Sequence, residues 1–327
     1  MIQIMKILTS HQDLLLPEAA QLLEAAGHDL HYFNGFTKAE LAQTEVLIVS
    51  AKTSVDSDLL GQFPRMQYLL SLSASLDHVD LDLCESLGIK VIHAGAADAE
   101  SVAEQIVLFS LMLRRHSLAQ IESLKNHHQR NTALVGDDLS QAKYGLIGMG
   151  AVGKATAQKL RGMGVEKIYG FDPYVSEAEM RNLGVEKTVL PALLKHSEII
   201  SVQVPLTPRT KGMLGEQQFQ LMAPSSVLIN VSRGAIINDT ALIQALNSGQ
   251  IKGAALDIFE NEAEVNNELV NHPRVIATPH VSAYTHNARK NMQLMPIKTF
   301  LKLTEQPHDR SRSYPATELY SPVFYLQ

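Results

Sequence analysis

A single cysteine, Cys84, stands among the 327 residues. No intrachain disulfide can form, and neither a thiolate zinc cluster nor an oxidising compartment is suggested, so the cytoplasm is the expected setting. Basic charge is not in excess either. Lys and Arg number 28 against 34 Asp and Glu, a formal net charge of -6 with a pI near 6.1. Phosphate backbones and anionic membranes are held by clustered cations, so neither nucleic acid nor a membrane surface is an expected partner. Long apolar runs are also missing. The longest, Ile106 to Phe109 followed after Ser110 by Leu111 to Leu113, fall far short of the ~20 residues that cross a bilayer. Met1 to Ser10 reads as an apolar strand without the basic region or small-residue cleavage site of a signal peptide, and no export is expected. The chain shows neither an internal repeat nor a low-complexity segment.

What is present is the composition of a folded protein, with 45% apolar and 19% charged residues. The length predicts two domains. Short β-branched runs alternate with helical patterns, first at Met5 to Thr9, Leu30 to Phe33, Val46 to Ser50, Tyr68 to Ser73 and Val91 to His93. Strands separated by helices predict a parallel sheet covered on both faces. Gly27 and Gly88 precede their strands where a helix C-terminus commonly needs a left-handed residue. A helix over Ala99 to Ser117, apolar on one broad face, leads into a polar stretch from Asn126 to Ser140. A second strand series follows at Tyr144 to Ile147, Lys167 to Phe171, Ile199 to Val204, Val227 to Val231, Ala254 to Ile258 and Val275 to Ala277. The last helix, Ala288 to Leu303, contains Pro296, a kinking residue, and is expected to cross back onto the first domain. For the tail from Gln306 to Gln327 a docked arm and a mobile end both stay open.

One glycine pattern has a chemical reading. Gly148-Met149-Gly150-Ala151-Val152-Gly153 ends a strand and opens a helix. Gly148 permits the tight turn, Gly150 lets backbone amides approach a pyrophosphate, and Gly153 lets helix and strand pack closely. A chain with 19 glycines would show roughly 0.06 such matches by chance, so context must decide. Asp172 closes the next strand, placed for a carboxylate to accept hydrogen bonds from an adenosine ribose. Pro173 and Tyr174 bring no cation for a 2'-phosphate, which favours NAD over NADP.

Three polar segments follow later strands, at the edge where open α/β sheets place their ligands. They are Asn230 to Gly234, Ala255 to Glu262 and Ala277 to His280, carrying Arg233, Glu262 and His280. Taken singly, Arg233 reads as a strand cap, Glu262 as a solvated loop carboxylate and His280 as a surface histidine. Their order and context favour chemistry. A 2-keto acid offers a planar carboxylate and a polarisable carbonyl, which the guanidinium fork suits better than a lysine point charge. Hydride delivery to C2 leaves an alkoxide that needs a proton, the task of a histidine, and a carboxylate beside a histidine fixes its orientation. Asp77, His78 and Asp80 resemble metal ligands in type but are read as a structural turn, so no metal is expected.

With these residues in place the chain resembles the D-isomer-specific 2-hydroxyacid dehydrogenases from about Leu69 to Ala288. The resemblance is carried by Leu76-Asp77-His78-Val79-Asp80, Ser101-Val102-Ala103-Glu104, the glycine motif, Val204-Pro205-Leu206-Thr207, the Arg233 segment, Gly253-Ala254-Ala255-Leu256-Asp257 and Thr278-Pro279-His280. It implies two Rossmann/flavodoxin-like α/β domains with parallel sheets and a cleft between them. Residues 1–98 with 286–327 would form the substrate-binding domain and 99–285 the NAD-binding domain. It implies Arg233 as the substrate-binding and polarising residue, His280 as acid/base and Glu262 as its support. Cofactor contacts are implied at Ala151, Val152, Asp172, Val204, Pro205, Thr210, Val231, Ser232 and Asp257, beside Gly148, Gly150 and Gly153. Backbone amides near Ala74 and Ser75 are implied to hold the substrate carboxylate. D stereochemistry and a homodimer, with the helix after Ala99 as a candidate interface, come from the resemblance alone. Four positions depart from the family pattern: Ser75 for glycine, His93 for asparagine, Gln203 for histidine and Ala263 for proline. The expected activity is NAD-dependent hydride transfer at C2 of a small 2-keto or 2-hydroxy acid. An NAD-sensing binding protein and a formate- or phosphite-type dehydrogenase stay open as alternatives.

Overall fold

Continuous runs of Val, Ile and Leu become strands buried on both faces, as a parallel sheet under two helical layers requires. The computed structural model describes residues 4–11, 14–32, 35 and 37–305. The chain divides into two compact units, residues 1–98 with 286–327 and residues 99–285. The tail from Gln306 to Gln327 lies outside the described residues.

Unit one holds β1 (Lys6–Thr9), β2 (Asp29–His31), β3 (Val46–Val49), β4 (Tyr68–Ser71) and β5 (Lys90–His93), all parallel in the order β2-β1-β3-β4-β5. Ile7 stands opposite Val46 and Leu69 opposite Val91. The helix His286–Glu305, with Pro296 inside it, packs on β4, β5 and the helix Pro17–Ala25. Its Ile297, Phe300 and Leu303 are buried with Ile7, Ile48 and Leu70 in one core cluster. Gly27 and Gly88 have φ of 83° and 70°, the left-handed residues expected where helices turn into β2 and β5. Asp80 caps the helix Leu81–Ser86 by accepting from Leu83 N, and His78 Nε2 lies 3.1 Å from Ser71 Oγ, so this turn has structural bonds of its own.

Unit two holds β6 (Lys143–Ile147), β7 (Lys167–Phe171), β8 (Glu186–Lys187), β9 (Ile199–Val202), β10 (Val227–Asn230), β11 (Gly253–Leu256) and β12 (Val275–Ala277). They form a parallel sheet in the order β12-β11-β10-β9-β6-β7-β8. The chain winds one way from β6 to β8 and the other way from β9 to β12, so the winding direction switches between β6 and β9. Crevices at such switch points, beyond the carboxyl ends of the strands, are where open α/β sheets bind ligands. Among the described residues no helix is long and apolar enough to cross a membrane.

The structure corrects several sequence expectations. The helix expected over Ala99 to Ser117 is two helices, Ala99–Arg114 and Ser117–His127, separated by His116 at φ 50°. The second of these takes up the start of the stretch read as polar connection. β8 was not expected at all: two polar residues at a sheet edge carry no periodic signal. Strands β4, β9, β10 and β11 end one or two residues early, because the chain leaves the sheet where its loops begin to form the ligand edge.

Candidate active site

The glycine loop follows β6. Gly148, at φ 98°, donates its amide to Phe171 O at 2.8 Å, and a Cβ there would sit 2.8 Å from Gln203 O. A Cβ on Gly153 would meet Gly148 O at 2.2 Å, so loop and helix can approach this closely only as glycines. A Cβ on Gly150 meets nothing within 4 Å. Gly150 also opens the helix Ala151–Gly162 without any side-chain cap. Open space therefore faces uncapped first-turn amides at Ala151, Val152 and Gly153, an arrangement that accepts an anion.

Asp172, one residue beyond β7, ties this loop down. Its Oδ2 accepts Met149 N at 2.9 Å, while Oδ1 accepts Tyr174 N at 2.8 Å and Val175 N at 3.3 Å. A carboxylate offers about four lone-pair sites, so capacity for a further donor is left. Gln203 completes the bracing by donating Nε2 to Gly148 O at 2.9 Å. Thr210 folds the loop after β9 on itself, donating to Pro205 O at 2.7 Å and accepting from Thr207 N at 2.8 Å. These bonds are sufficient to shape the loop around Val204 and Pro205.

Beyond β10, Asn230 organises the arginine loop. Its Oδ1 accepts both the amide and the hydroxyl of Ser232, at 3.1 and 2.9 Å, and its Nδ2 donates to Arg233 O at 2.9 Å. Arg233 is half-buried, with Nη1 2.5 Å from Ser232 O. The next residue decides where this loop lies. A Cβ on Gly234 would fall 2.1 Å from both Phe259 C and Glu260 N, so the absence of a side chain lets the arginine loop lie against the loop that follows β11. Asn261 shapes that second loop, its Oδ1 accepting Ala263 N at 3.2 Å and Glu264 N at 3.4 Å, with Glu262 held between.

Glu262 reaches the third loop. Its Oε1 lies 2.8 Å from His280 Nδ1, both side chains being about half exposed. His280 is in the left-handed region at φ 52°, with its amide donating to Asp257 O at 2.8 Å and Thr278 O at 3.1 Å. Asp257 is fully buried; its Oδ1 accepts from Thr278 Oγ1 at 2.5 Å and Val281 N at 2.9 Å, and its Oδ2 from Ser282 N at 2.8 Å. The structure thus places Asp257 beneath the histidine loop as its organiser rather than on an open surface. A cavity of about 260 Å³ opens beside the pair, lined by Phe259, Glu262, Val270, Thr278 and His280 among others. Nearby, burial and the Glu260 carboxylate hold Asp239 above the usual aspartate range.

The arrangement has a direct chemical meaning. With Nδ1 engaged by Glu262, the Nε2 position of His280 is the one able to exchange a proton with a bound molecule. Glu260 and Glu262 share the loop after β11, and Asp239 lies close enough to feel the Glu260 charge. Three residues that hold the constellation, Asn230, Gly234 and Asn261, escaped the sequence reading. Asn261 had a usable signal, an Asx-turn pattern two residues before Ala263, whereas the need for Gly234 arises only from the neighbouring loop. Ala74 and Ser75 follow β4 in unit one, and Ser75 N donates to Ser73 Oγ at 3.3 Å.

Residues 107–282 match the model of the NAD binding domain of the D-isomer specific 2-hydroxyacid dehydrogenases. The chain belongs to this family. Among its relatives, the D-3-phosphoglycerate dehydrogenase of Bacillus subtilis (strain 168) is 35% identical over 253 residues, 77% of this chain and 48% of that one. The glyoxylate reductase of Thermococcus litoralis is 30% identical over 274 residues, 82% of each chain. This 2-hydroxyacid dehydrogenase family member spans about half the length of the D-3-phosphoglycerate dehydrogenases it matches. In structure it is similar to a D-lactate dehydrogenase from Aquifex aeolicus complexed with NAD and lactic acid. That likeness has a TM-score of 0.79 at 27% identity and covers 91% of this chain and 96% of the other. The matched family domain lies within unit two.

Proposed function

We propose that this protein is an NAD-dependent dehydrogenase acting at C2 of a small 2-keto or 2-hydroxy acid, with D stereospecificity. The observation that carries the reading is the Glu262–His280 pair, 2.8 Å apart, with the Glu262 loop lying against the Arg233 loop at Gly234. When bound at the glycine loop, the nicotinamide cofactor supplies or accepts the hydride. Gly148 to Gly153 would cradle its pyrophosphate and Asp172 its adenosine ribose, which disfavours a 2'-phosphate. Val204, Pro205, Thr210, Val231 and Ser232 stand on the loops that would border the rest of it, with Asp257 acting through the histidine loop. Arg233 binds the substrate carboxylate and polarises the C2 carbonyl. Ala74 and Ser75, on the loop after β4 of unit one, would offer backbone amides to a substrate carboxylate. His280 Nε2 delivers the proton to the new alkoxide or removes it in oxidation, while Glu262 holds the ring and balances its charge.

A homodimer is the assembly we infer. Leu118, Ile121 and Leu124 on the helix Ser117–His127 are 41%, 46% and 61% exposed, an apolar stripe that a second copy would cover. Sedimentation that gave only monomer would reject the dimer. A reducing cytoplasmic setting suits Cys84, whose buried thiol is pushed up to about 11.

The activity is tested by following NADH oxidation against 2-keto acids of graded size, from glyoxylate to bulky branched acids. Turnover of at least one, yielding the D-hydroxy acid, is expected. NADH binding without turnover of any would leave a nucleotide-sensing protein, and turnover confined to formate or phosphite with NAD would replace the substrate class.

A further inference from the structure

We propose that His93 is a positioning residue that holds the Ser73–Ser75 loop in the conformation that receives the substrate carboxylate. The proposal rests on the reading of Ala74 and Ser75 given above. His93 is the last residue of β5, and β4 beside it runs straight into that loop. Its Nδ1 lies 3.1 Å from Ala74 O and 3.2 Å from Gly95 N. Ser73 O accepts Ala94 N at 3.1 Å, so backbone and side chain pin the same turn from the same strand end.

One nitrogen cannot serve both neighbours. Protonated, Nδ1 donates to the Ala74 carbonyl; with its lone pair free it accepts the Gly95 amide. Nδ1 therefore binds either the Ala74 carbonyl or the Gly95 amide, and the first choice orients the Ala74–Ser75 peptide, whose N–H, held at 3.3 Å by Ser73 Oγ, would exchange that bond for one to the substrate carboxylate. Burial lowers the affinity of His93 for a proton, while hydrogen bonds to the Ala74 and Ser73 carbonyls raise it. An aliphatic residue here would leave Ala74 O without this donor. An asparagine carboxamide supplies a donor and an acceptor together and can make either bond.

The test is steady-state kinetics of the parent, His93→Ala and His93→Asn with the best 2-keto acid at saturating NADH. The alanine variant should raise KM for the keto acid about five- to tenfold, the worth of one lost hydrogen bond. Its kcat should stay within about twofold and its KM for NADH unchanged, because the residue acts through the loop and not on the reacting atoms. The asparagine variant should return KM close to the parent. Should His93→Ala fail to fold, His93→Leu of similar bulk carries the same comparison. An unchanged keto-acid KM, an equal loss in kcat and in NADH affinity, or an asparagine variant as impaired as alanine overturns the role of His93 while leaving the active-site reading intact. A parent that turns over no 2-keto acid overturns that reading, and this inference with it.

Discussion

On the function proposed above, Arg233 and His280 would divide the chemistry between charge geometry and proton transfer, and each role would have its own signature. Arg233→Lys keeps the charge but loses the fork, so kcat/KM for the keto acid should fall about 10- to 100-fold with NADH affinity largely retained. Normal turnover by that variant would remove Arg233 from substrate binding. On the same reading His280 would give a proton in reduction and take one back in oxidation. Glu262→Gln keeps the size of the side chain but can present an N–H to Nδ1 and so favour the wrong tautomer. A loss of about 10- to 100-fold in kcat is expected, moderated because the pair is half exposed. Near-normal kcat would reduce Glu262 to a bystander. At Asp172, the carboxylate that ties Met149 and Tyr174 would, on the proposed reading, also repel a 2'-phosphate. Asp172→Ser should narrow the preference for NADH over NADPH, and equal kcat/KM for both cofactors in the parent would sink that assignment.

The loops, more than the strands, decide whether these side chains meet, and a pair of glycine substitutions separates packing from composition. Gly234→Ala would force a methyl group to within 2.1 Å of Phe259 C and Glu260 N. Moving either loop to relieve this should destabilise the protein by about 2–3 kcal/mol and lower Tm by roughly 5–10 °C. It should also lower kcat/KM by parting Arg233 from the Glu262 loop. Gly162→Ala, where an added Cβ meets nothing within 4 Å, should be neutral or slightly stabilising. Calorimetry on the two variants checks the contrast, and equal Tm values would show that the loops do not need their close approach. The strands were legible because each doubly covered strand is an unbroken apolar run, from Val46–Val49 to Val227–Asn230. The helix Ser117–His127 was not, since its single buried residue is Ser123 and it starts after a left-handed histidine. The segments that carry Arg233, Glu262 and His280 were legible, while the need for Gly234 depends on Phe259 and Glu260, brought near by the parallel pairing of β10 and β11.

At the scale of the molecule, a buried histidine outside the candidate site couples the packing of unit one to pH. His28, 6% exposed, accepts Met5 N at 3.3 Å through Nδ1, and its ring lies 5.2 Å from that of Phe300 in the helix His286–Glu305. It therefore joins the residue leading into the first strand of unit one to the helix His286–Glu305 of the same unit, segments far apart in the sequence. Burial holds the His28 pKa below the ordinary histidine value, with Glu45 opposing the shift. The sign follows from linkage. The unfolded chain takes up a proton here at about pH 6.5, whereas the folded one resists until lower pH, so protonation favours unfolding. This contribution to stability is fully present above about pH 6.5 and is lost as pH falls from there to the lower folded value. Within that window each pH unit removes at most about 1.4 kcal/mol. Protonation also removes the acceptor for Met5 N, leaving a buried donor unpaired. His28→Gln keeps a neutral acceptor without a titrating ring, so it should be less stable than the parent at pH 7.5 yet lose less between pH 7.5 and pH 5. Urea unfolding of both proteins at the two pH values measures the difference, which cancels the titration of all other groups common to both. Parallel losses in parent and variant would show that His28 does not link proton uptake to the packing of the helix His286–Glu305 in unit one.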